Sequence, residues 1–425
     1  MLIKSVSARE ILDSRGIPTV ETTVWLDNGI MAVSSVPAGT SVGKYESKEL
    51  RDNDPNHMNS MGVLQAVNNV NAVIAPKVIG SDPTKQTALD QLLVNLDGSH
   101  DKSVLGSNAI LSVSQAVLKA GAMAVNMPLF YYIKEKYQLT NTLQIPTTIF
   151  TMISGGAHGA GNLDIQEFHT IPASHLDYPE NLNMGSHLYQ QLGEVLKSKG
   201  AIHSVGLGGG YAPNLYHNID AFEILIETIH NSQYTFGRDL FFGVDVAADS
   251  LASGGRYVLK DNPEPFSPAQ LLEYYDTLRK TYHVISIEDG YGQDDWKNWQ
   301  LLTARLGETT MIIGDSLLST NKSRLQKAIQ DKSCNGILIK PNQIGTISET
   351  VEVIKIARDA NFKIIVSHRS GETNDDFIAD FGVGVGADYV KFGAPARGER
   401  VSKYNRLLAI HNLIEEAKQA PTPAV

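Results

Sequence analysis

The chain is predicted to be an α/β protein with an α+β block in front of it, and three observations point there. Its first third passes from short β-rich segments into longer helical patterns. Beyond about residue 140, short apolar runs end in polar or charged residues: "FFGVDV", "VISIED", "MIIGDS", "GILIKP", "KIIVSH" and "YVKFGA". Helical patterns separate most of these runs, an alternation that implies a parallel sheet with crossover helices. A closed (β/α) barrel and an open doubly wound sheet both fit that rhythm.

The opening block is built from "IKSVSAREIL", "TVETTVWLDNG" and "MAVSSVPAG", three β-rich segments divided by turn residues. "DNG" at 27 to 29 is a hairpin signal. Helical patterns over 57 to 80, 84 to 97 and 106 to 137 complete an α+β unit. Further on, "SPAQLLEYYDTLRKTY" starts with Ser267 as a cap and Pro268 at the first helical position, where a missing N–H costs nothing. "TISETVEVIKIARDA" spaces its apolar residues by three and four, as a helix face requires. The tail "QAPTPAV" is expected to fray.

Composition excludes several classes of function. A length of 425 residues suffices for two ordinary domains, and a net charge of −10 argues against sequence-independent nucleic-acid binding, which needs a basic face. Cys334 is the only cysteine, so no intrachain disulfide can form. "MLIKSVSARE" lacks the apolar core of a signal peptide, and no apolar run reaches the length of a membrane span. A soluble, cytoplasmic protein without membrane or nucleic-acid partners is expected.

Chemistry-bearing residues fall in one register. Asp245, Glu288, Asp315, Lys340, His368 and Lys391 each stand at or near the end of a predicted strand. One such residue is ordinarily a turn or cap residue; six in the same register indicate a site. In a barrel they would converge on one mouth, and in an open sheet they would spread along an edge. Three carboxylates at one mouth repel unless a cation joins them, and oxygen ligands alone suit Mg²⁺. The two lysines and "HRS" at 368 to 370 add positive charge for an anionic substrate.

Seven longer motifs sharpen this reading: "DSRGIPTVE" (13 to 21), "GSNAILSVSQA" (106 to 116), "DIQEF" (164 to 168), "SIED" (286 to 289), "LIKPNQIGT" (338 to 346), "SHRSGET" (367 to 373) and "GAPARGERVSKYN" (393 to 405). Together, in order and spacing, they resemble the enolase family from near residue 1 to about 415. The resemblance implies an N-terminal α+β domain over 1–138. It also implies a modified (β/α)8 TIM-like barrel over 139–425, whose opening antiparallel strand pair the alternation alone does not supply. Its implied activity is that of a carbon–oxygen lyase of glycolysis, converting 2-phosphoglycerate to phosphoenolpyruvate with two Mg²⁺ ions, as a homodimer or higher homo-oligomer.

By motif, Asp245, Glu288 and Asp315 resemble the ligands of the first Mg²⁺, and Ser41 in "PAGTSVG" a mobile-loop ligand of the second. Lys340 resembles the base that removes the C2 proton, and Lys391 the residue that meets the substrate carboxylate. Arg369 and Ser370, beside His368, would hold phosphate, with His158 closing over it. The chemistry is consistent with these roles. A proton next to a carboxylate is weakly acidic, and its removal piles charge onto oxygens that metal ions neutralise. Nearby cations favour loss of a proton from Lys340. Arg369 can grip phosphate as a fork, which lysine cannot.

One stretch departs from the family. Its counterpart of "VGLGGGYAPN" (205 to 214) reads V-G-D-E-G-G-F-A-P, and that glutamate is the general acid for the leaving C3 hydroxyl. Here Leu207 and Gly208 replace the acidic pair, with "GGYAPN" pinning the alignment. A dinucleotide-binding reading fails, because Tyr211 occupies the last glycine of G-x-G-x-x-G. Either the loop is a permissive turn or the chain has lost acid assistance of about 10²–10⁴-fold, roughly 3–5 kcal/mol. Glu167 matches a second family glutamate near the departing hydroxyl. It would serve as substitute acid, directly or through water, or else orient its neighbours.

Smaller departures are Ser154 and Gly159 where Asn and Ala are usual, Ser316 for the second Asp of a family pair, and Phe392 for Thr. The family's intersubunit ion pair resembles Glu21, but its arginine position is Ala409, with Arg406 one turn earlier as an alternative. Three functions stay open. The first is an enolase with a substitute acid. The second is a relative acting on another phospho- or phosphono-carboxylate, as carboxyphosphonoenolpyruvate synthases do in phosphonate biosynthesis. The third is a non-catalytic binding protein, against which the intact Lys340 and carboxylates weigh.

Overall fold

The computed structural model describes residues 1–40, 43–159, 161–260 and 262–419. Strands β1 (Ile3–Leu12), β2 (Pro18–Leu26) and β3 (Met31–Ser35) form an antiparallel sheet in that order. The expected hairpin joins β2 to β3, with Gly29 at φ 90° where a side chain would be strained. Val20, Thr22, Val24 and Leu26 alternate inward on β2. The helix Ser107–Ala124 covers that face and is buried along nearly its whole length. Its small polar residues reach the sheet, with Thr22 Oγ1 and Ser112 Oγ 2.7 Å apart.

Two helical expectations need correction. The pattern over 57 to 80 starts only at Leu64 and runs as Leu64–Asn68, a π-helical stretch Asn69–Ile74 and Ala75–Val78. Met58–Ser60 is a separate turn with left-handed backbone. The pattern over 106 to 137 is two helices, Ser107–Ala124 and Leu129–Tyr137, bent by 97°. Asn126 at φ 53° and Pro128 before the second helix make the break.

Among the described residues, eight strands close into a barrel. They are β4 (Thr147–Ser154), β5 (Glu167–Pro172), β6 (Leu240–Asp245), β7 (Val284–Glu288), β8 (Met311–Gly314), β9 (Gly336–Ile339), β10 (Lys363–Ser367) and β11 (Tyr389–Lys391). Around the ring they run β8-β9-β10-β11-β4-β5-β6-β7. β5 is antiparallel to both neighbours; all other pairs are parallel. The open-sheet alternative is thereby excluded. The Ser267 cap forms as expected, with Gln270 closing a reciprocal capping box.

The N-terminal block docks against the barrel's mouth through backbone bonds between Ala38 and Gly371, at 2.8 and 2.9 Å, and from Ser14 to Glu372. No single helix among the described residues is long and apolar enough to cross a membrane. Cys334 is buried, and burial pushes its thiol pKa up. Glu21 pairs with Arg9 at 2.7 Å and Arg406 forks onto Asp380 at 2.6 and 2.7 Å, so each has a partner within its own chain. Of the tail expected to fray, 420–425 lie outside the described residues.

Ile149, Ile171, Ile313, Leu338 and Ile365 form a small apolar cluster of their own, each at most 1% exposed. They come from five different barrel strands and fill the barrel's interior. Leu338→Ala should therefore cost about 2–5 kcal/mol of stability. Urea titration should show this as a lower midpoint with an unchanged slope.

Candidate active site

The strand ends deliver the predicted side chains to one place. β6, β7 and β11 end on Asp245, Glu288 and Lys391, and Asp315, Lys340 and His368 follow β8, β9 and β10 directly. Asp245, Asp315, Lys340, His368 and Lys391 line a cavity of about 250 Å³, together with His158, Glu167, Arg369 and Ser370. Glu288 does not line it but lies fully buried against Lys391. The volume falls below the roughly 300–1,000 Å³ of pockets for drug-sized ligands and suits a small metabolite. The N-terminal block closes one side with Gly39, Thr40, Gly43 and Glu46. Ser41 lies outside the described residues.

Opposite charges interleave here. Lys391 Nζ lies 2.8 Å from Glu288, 3.1 Å from Glu167 and 3.2 Å from Asp245. Burial opposes its charge, but these carboxylates outweigh burial and hold its pKa well above the ordinary value. Lys340 Nζ lies 2.5 Å from Asp315 Oδ2, and Gln343 donates to Oδ1 at 3.0 Å. Asp315 is held below its usual range because Lys340, with Arg369 and Lys391 beyond it, overcomes burial. Glu288 moves the other way, driven up by burial and by Asp245.

The donor set fits a hard divalent cation. Asp245, Glu288 and Asp315 offer only oxygen, and Glu288 Oε1 is buried without a hydrogen-bond partner among the described residues. A different acidic group, Glu10, Asp52 and His57, lies in the N-terminal block. Its carboxylates bond His57 and the backbone N–H groups of Val63, Leu64 and Gln65 at a helix start, which is a structural task.

Glu167 occupies the first residue of β5, directly opposite Asp245. Because β5 runs backwards, its beginning rather than its end faces the mouth. Glu167 Oε1 meets His158 Nδ1 at 2.8 Å, while Oε2 meets His169 Nε2 at 3.0 Å and accepts from Thr151 at 3.2 Å. Burial resists its ionisation, yet Lys391, His158 and His169 hold its carboxyl well below the usual range.

Arg369 Nη1 donates to Glu46 at 2.8 Å and Asn342 at 3.0 Å, and Ser370 Oγ accepts the Thr40 N–H at 2.9 Å. Two residues went unremarked in the sequence. Arg400, fully buried, donates to the Leu207 and Ser370 carbonyls at 2.9 and 2.6 Å, to the Arg369 carbonyl and to His368 Nδ1. Burial and that guanidinium push the His368 pKa well down, so the ring stays neutral with its hydrogen on Nε2. Asp289 accepts the backbone N–H groups of Asp315 and Ser316 at 2.9 and 2.8 Å and so sets the turn after β8. Burial, with Asp315 and Asp245 nearby, raises its pKa to about 7. Its signal was the second acid of "SIED", masked by the first.

In the 205–214 loop the glycines are not equivalent. A Cβ on Gly206 would fall 2.2 Å from the His158 carbonyl oxygen, and one on Gly210 2.8 Å from Ser154 Oγ. Gly209 sits at φ 87°. Gly208 has no left-handed φ, and its Cβ would make only ordinary contacts, 3.4 Å from Glu167 Oε1 and 3.8 Å from His368 Cε1. The backbone therefore does not require glycine at 208. A side chain there would begin between two residues that line the cavity.

A closed barrel with acids and lysines meeting at its strand ends, roofed on one side by an α+β block, defines a barrel lyase of the enolase type. Residues 3–133 match the family described as "Enolase, N-terminal domain", and residues 142–422 match "Enolase, C-terminal TIM barrel domain". The chain belongs to the enolase family.

The glycine geometry separates two neighbouring substitutions. Gly208→Ala should leave the melting temperature unchanged or raise it, by up to about 1 kcal/mol of stability. Gly206→Ala should lower stability by about 1–3 kcal/mol. Parallel thermal melts of the two variants check this.

Proposed function

We propose that this chain is a lyase that forms an enolate from 2-phosphoglycerate and expels its C3 hydroxyl, giving phosphoenolpyruvate as in glycolysis. The observation that carries the reading is the convergence of Lys340, Lys391, Asp245 and Asp315 on one small cavity, with the third candidate ligand, Glu288, buried directly behind it against Lys391. Lys340, at the rim after β9, takes the C2 proton. Lys391, held charged among carboxylates, faces the substrate carboxylate as charge builds on it. Arg369 and Ser370 receive the phosphate. Mg²⁺ ions, held by Asp245, Glu288 and Asp315 and, for the second, by Ser41, would neutralise the charge of the enolate when bound.

A second reading is favoured by Gly208. An active site that keeps its base and loses a side chain the fold could accommodate suits a related phospho- or phosphono-carboxylate with a different C3 group. The intact lysines and acids weigh against a non-catalytic binding protein. A homodimer or higher homo-oligomer is the expected assembly, and light scattering that shows only monomer rejects it.

Mg²⁺ should stabilise the folded chain by RT ln(1 + [Mg²⁺]/Kd), about 2.7 kcal/mol at a hundredfold excess over Kd, and so raise the melting temperature. Asp315→Asn should weaken that response. A flat titration with no heat of binding would remove the metal site.

With 2-phosphoglycerate and Mg²⁺ in D₂O, the protein should exchange the C2 proton, and Lys340→Ala should abolish the exchange. Exchange that survives in the variant would assign the base elsewhere.

A further inference from the structure

If 208 carries no acid, the leaving hydroxyl still needs a proton. Glu167 is badly suited to give one. Its carboxylate is ionised and held by His158, His169, Thr151 and Lys391. What that arrangement does is fix a histidine. Glu167 Oε1 takes the Nδ1 hydrogen of His158, so the ring nitrogen left to exchange a proton with the cavity is Nε2. His158 lines the cavity, and its Nε2 has no partner among the described residues.

His158 is also tied to the altered loop. Its carbonyl accepts the Leu207 N–H at 3.1 Å, and Gly206 packs directly against that oxygen. The Glu167 oxygen that holds the imidazole is the atom nearest to where a side chain on residue 208 would begin, 3.4 Å from the Cβ position. The histidine and the missing acid thus share one neighbour.

We infer that His158, oriented by Glu167, is the proton donor to the leaving group in this chain. The inference rests on the enolate-forming reading above. In the step, Lys340 holds the proton taken from C2 and the C2–C3 double bond forms as the C3–O bond breaks. The departing oxygen takes the Nε2 proton and leaves as water. His158 remains as neutral imidazole with its hydrogen on Nδ1, toward Glu167. Solvent returns the proton, since the side chain is 15% exposed.

The experiment compares C2 exchange with phosphoenolpyruvate formation from 2-phosphoglycerate and Mg²⁺ in D₂O. His158→Asn keeps an N–H for Glu167, and His158→Gln serves as a second variant if the first does not fold. In the otherwise unchanged chain, the ratio of elimination to exchange should fall by roughly 10²-fold or more, the usual scale of a general acid. In a Leu207→Asp/Gly208→Glu background the same change should lower the ratio by less than about tenfold, because the restored carboxylate replaces the histidine. Equal loss of both rates, as from a phosphate contact alone, overturns the inference. So does an equal fall of the ratio in both backgrounds. Absence of C2 exchange in the unaltered protein overturns the enolate reading itself, and the inference with it.

Discussion

One ammonium group, Lys391 Nζ, lies within 2.8 to 3.2 Å of carboxylates on three neighbouring strands, Glu167 on β5, Asp245 on β6 and Glu288 on β7. It reaches them from β11, so the contact spans the mouth. Lys391 stays charged there only because the carboxylates around it outweigh its burial. Taking one partner from a buried pair generally costs about 3–5 kcal/mol. The barrel's closure supplies the strand ends, and the charge cluster fixes how their side chains converge. The second pair, Lys340 with Asp315, repeats the arrangement on β8 and β9, where Asp289 sets the turn.

Much of this was legible in the sequence, because a barrel converts a linear register into a spatial ring. A polar residue at the end of an apolar run becomes a residue at the mouth, and Asp245, Glu288, Asp315, Lys340, His368 and Lys391 all obey that rule. Glu167 does not, since it begins its strand. Only the reversed direction of β5, which period and composition do not encode, brings it to the same rim. The family motifs supplied that reversal; the residue pattern did not.

What stayed hidden depends on three-dimensional contacts rather than on residue type. Arg400 sits in a helical pattern among other charged residues, and nothing local marks it as the buried tie between Leu207, Ser370 and His368. The sequence left the glycine run open between a permissive turn and a loop without its acid, and the contacts separate its members: close approach at 206 and 210, a left-handed φ at 209, and neither at 208. Helix interruption near residue 126 was similarly invisible to a hydrophobic period that continues across it.

The reversed strand has one more consequence. β5 ends at Pro172, opposite the start of β6 at Leu240, so both lie at the far end of the barrel from the cavity. A short turn could join them, but the chain instead climbs to the mouth and returns. It does so on the helices Tyr178–Ser198 and Asn218–His230, with 205–214 at the crest. The crest is held through its backbone: Arg400 and Tyr189 donate to the Leu207 and Gly209 carbonyls, the Ala394 N–H donates to the Gly208 carbonyl, and Tyr211 bridges to β4. No barrel strand starts or stops in it. The other site residues stand on or directly after paired strands, whereas residue 208 lies outside them and can take a side chain while closure is untouched. Within this architecture, residue 208 is a place where a side chain beside the cavity can be gained or lost without a change to the barrel.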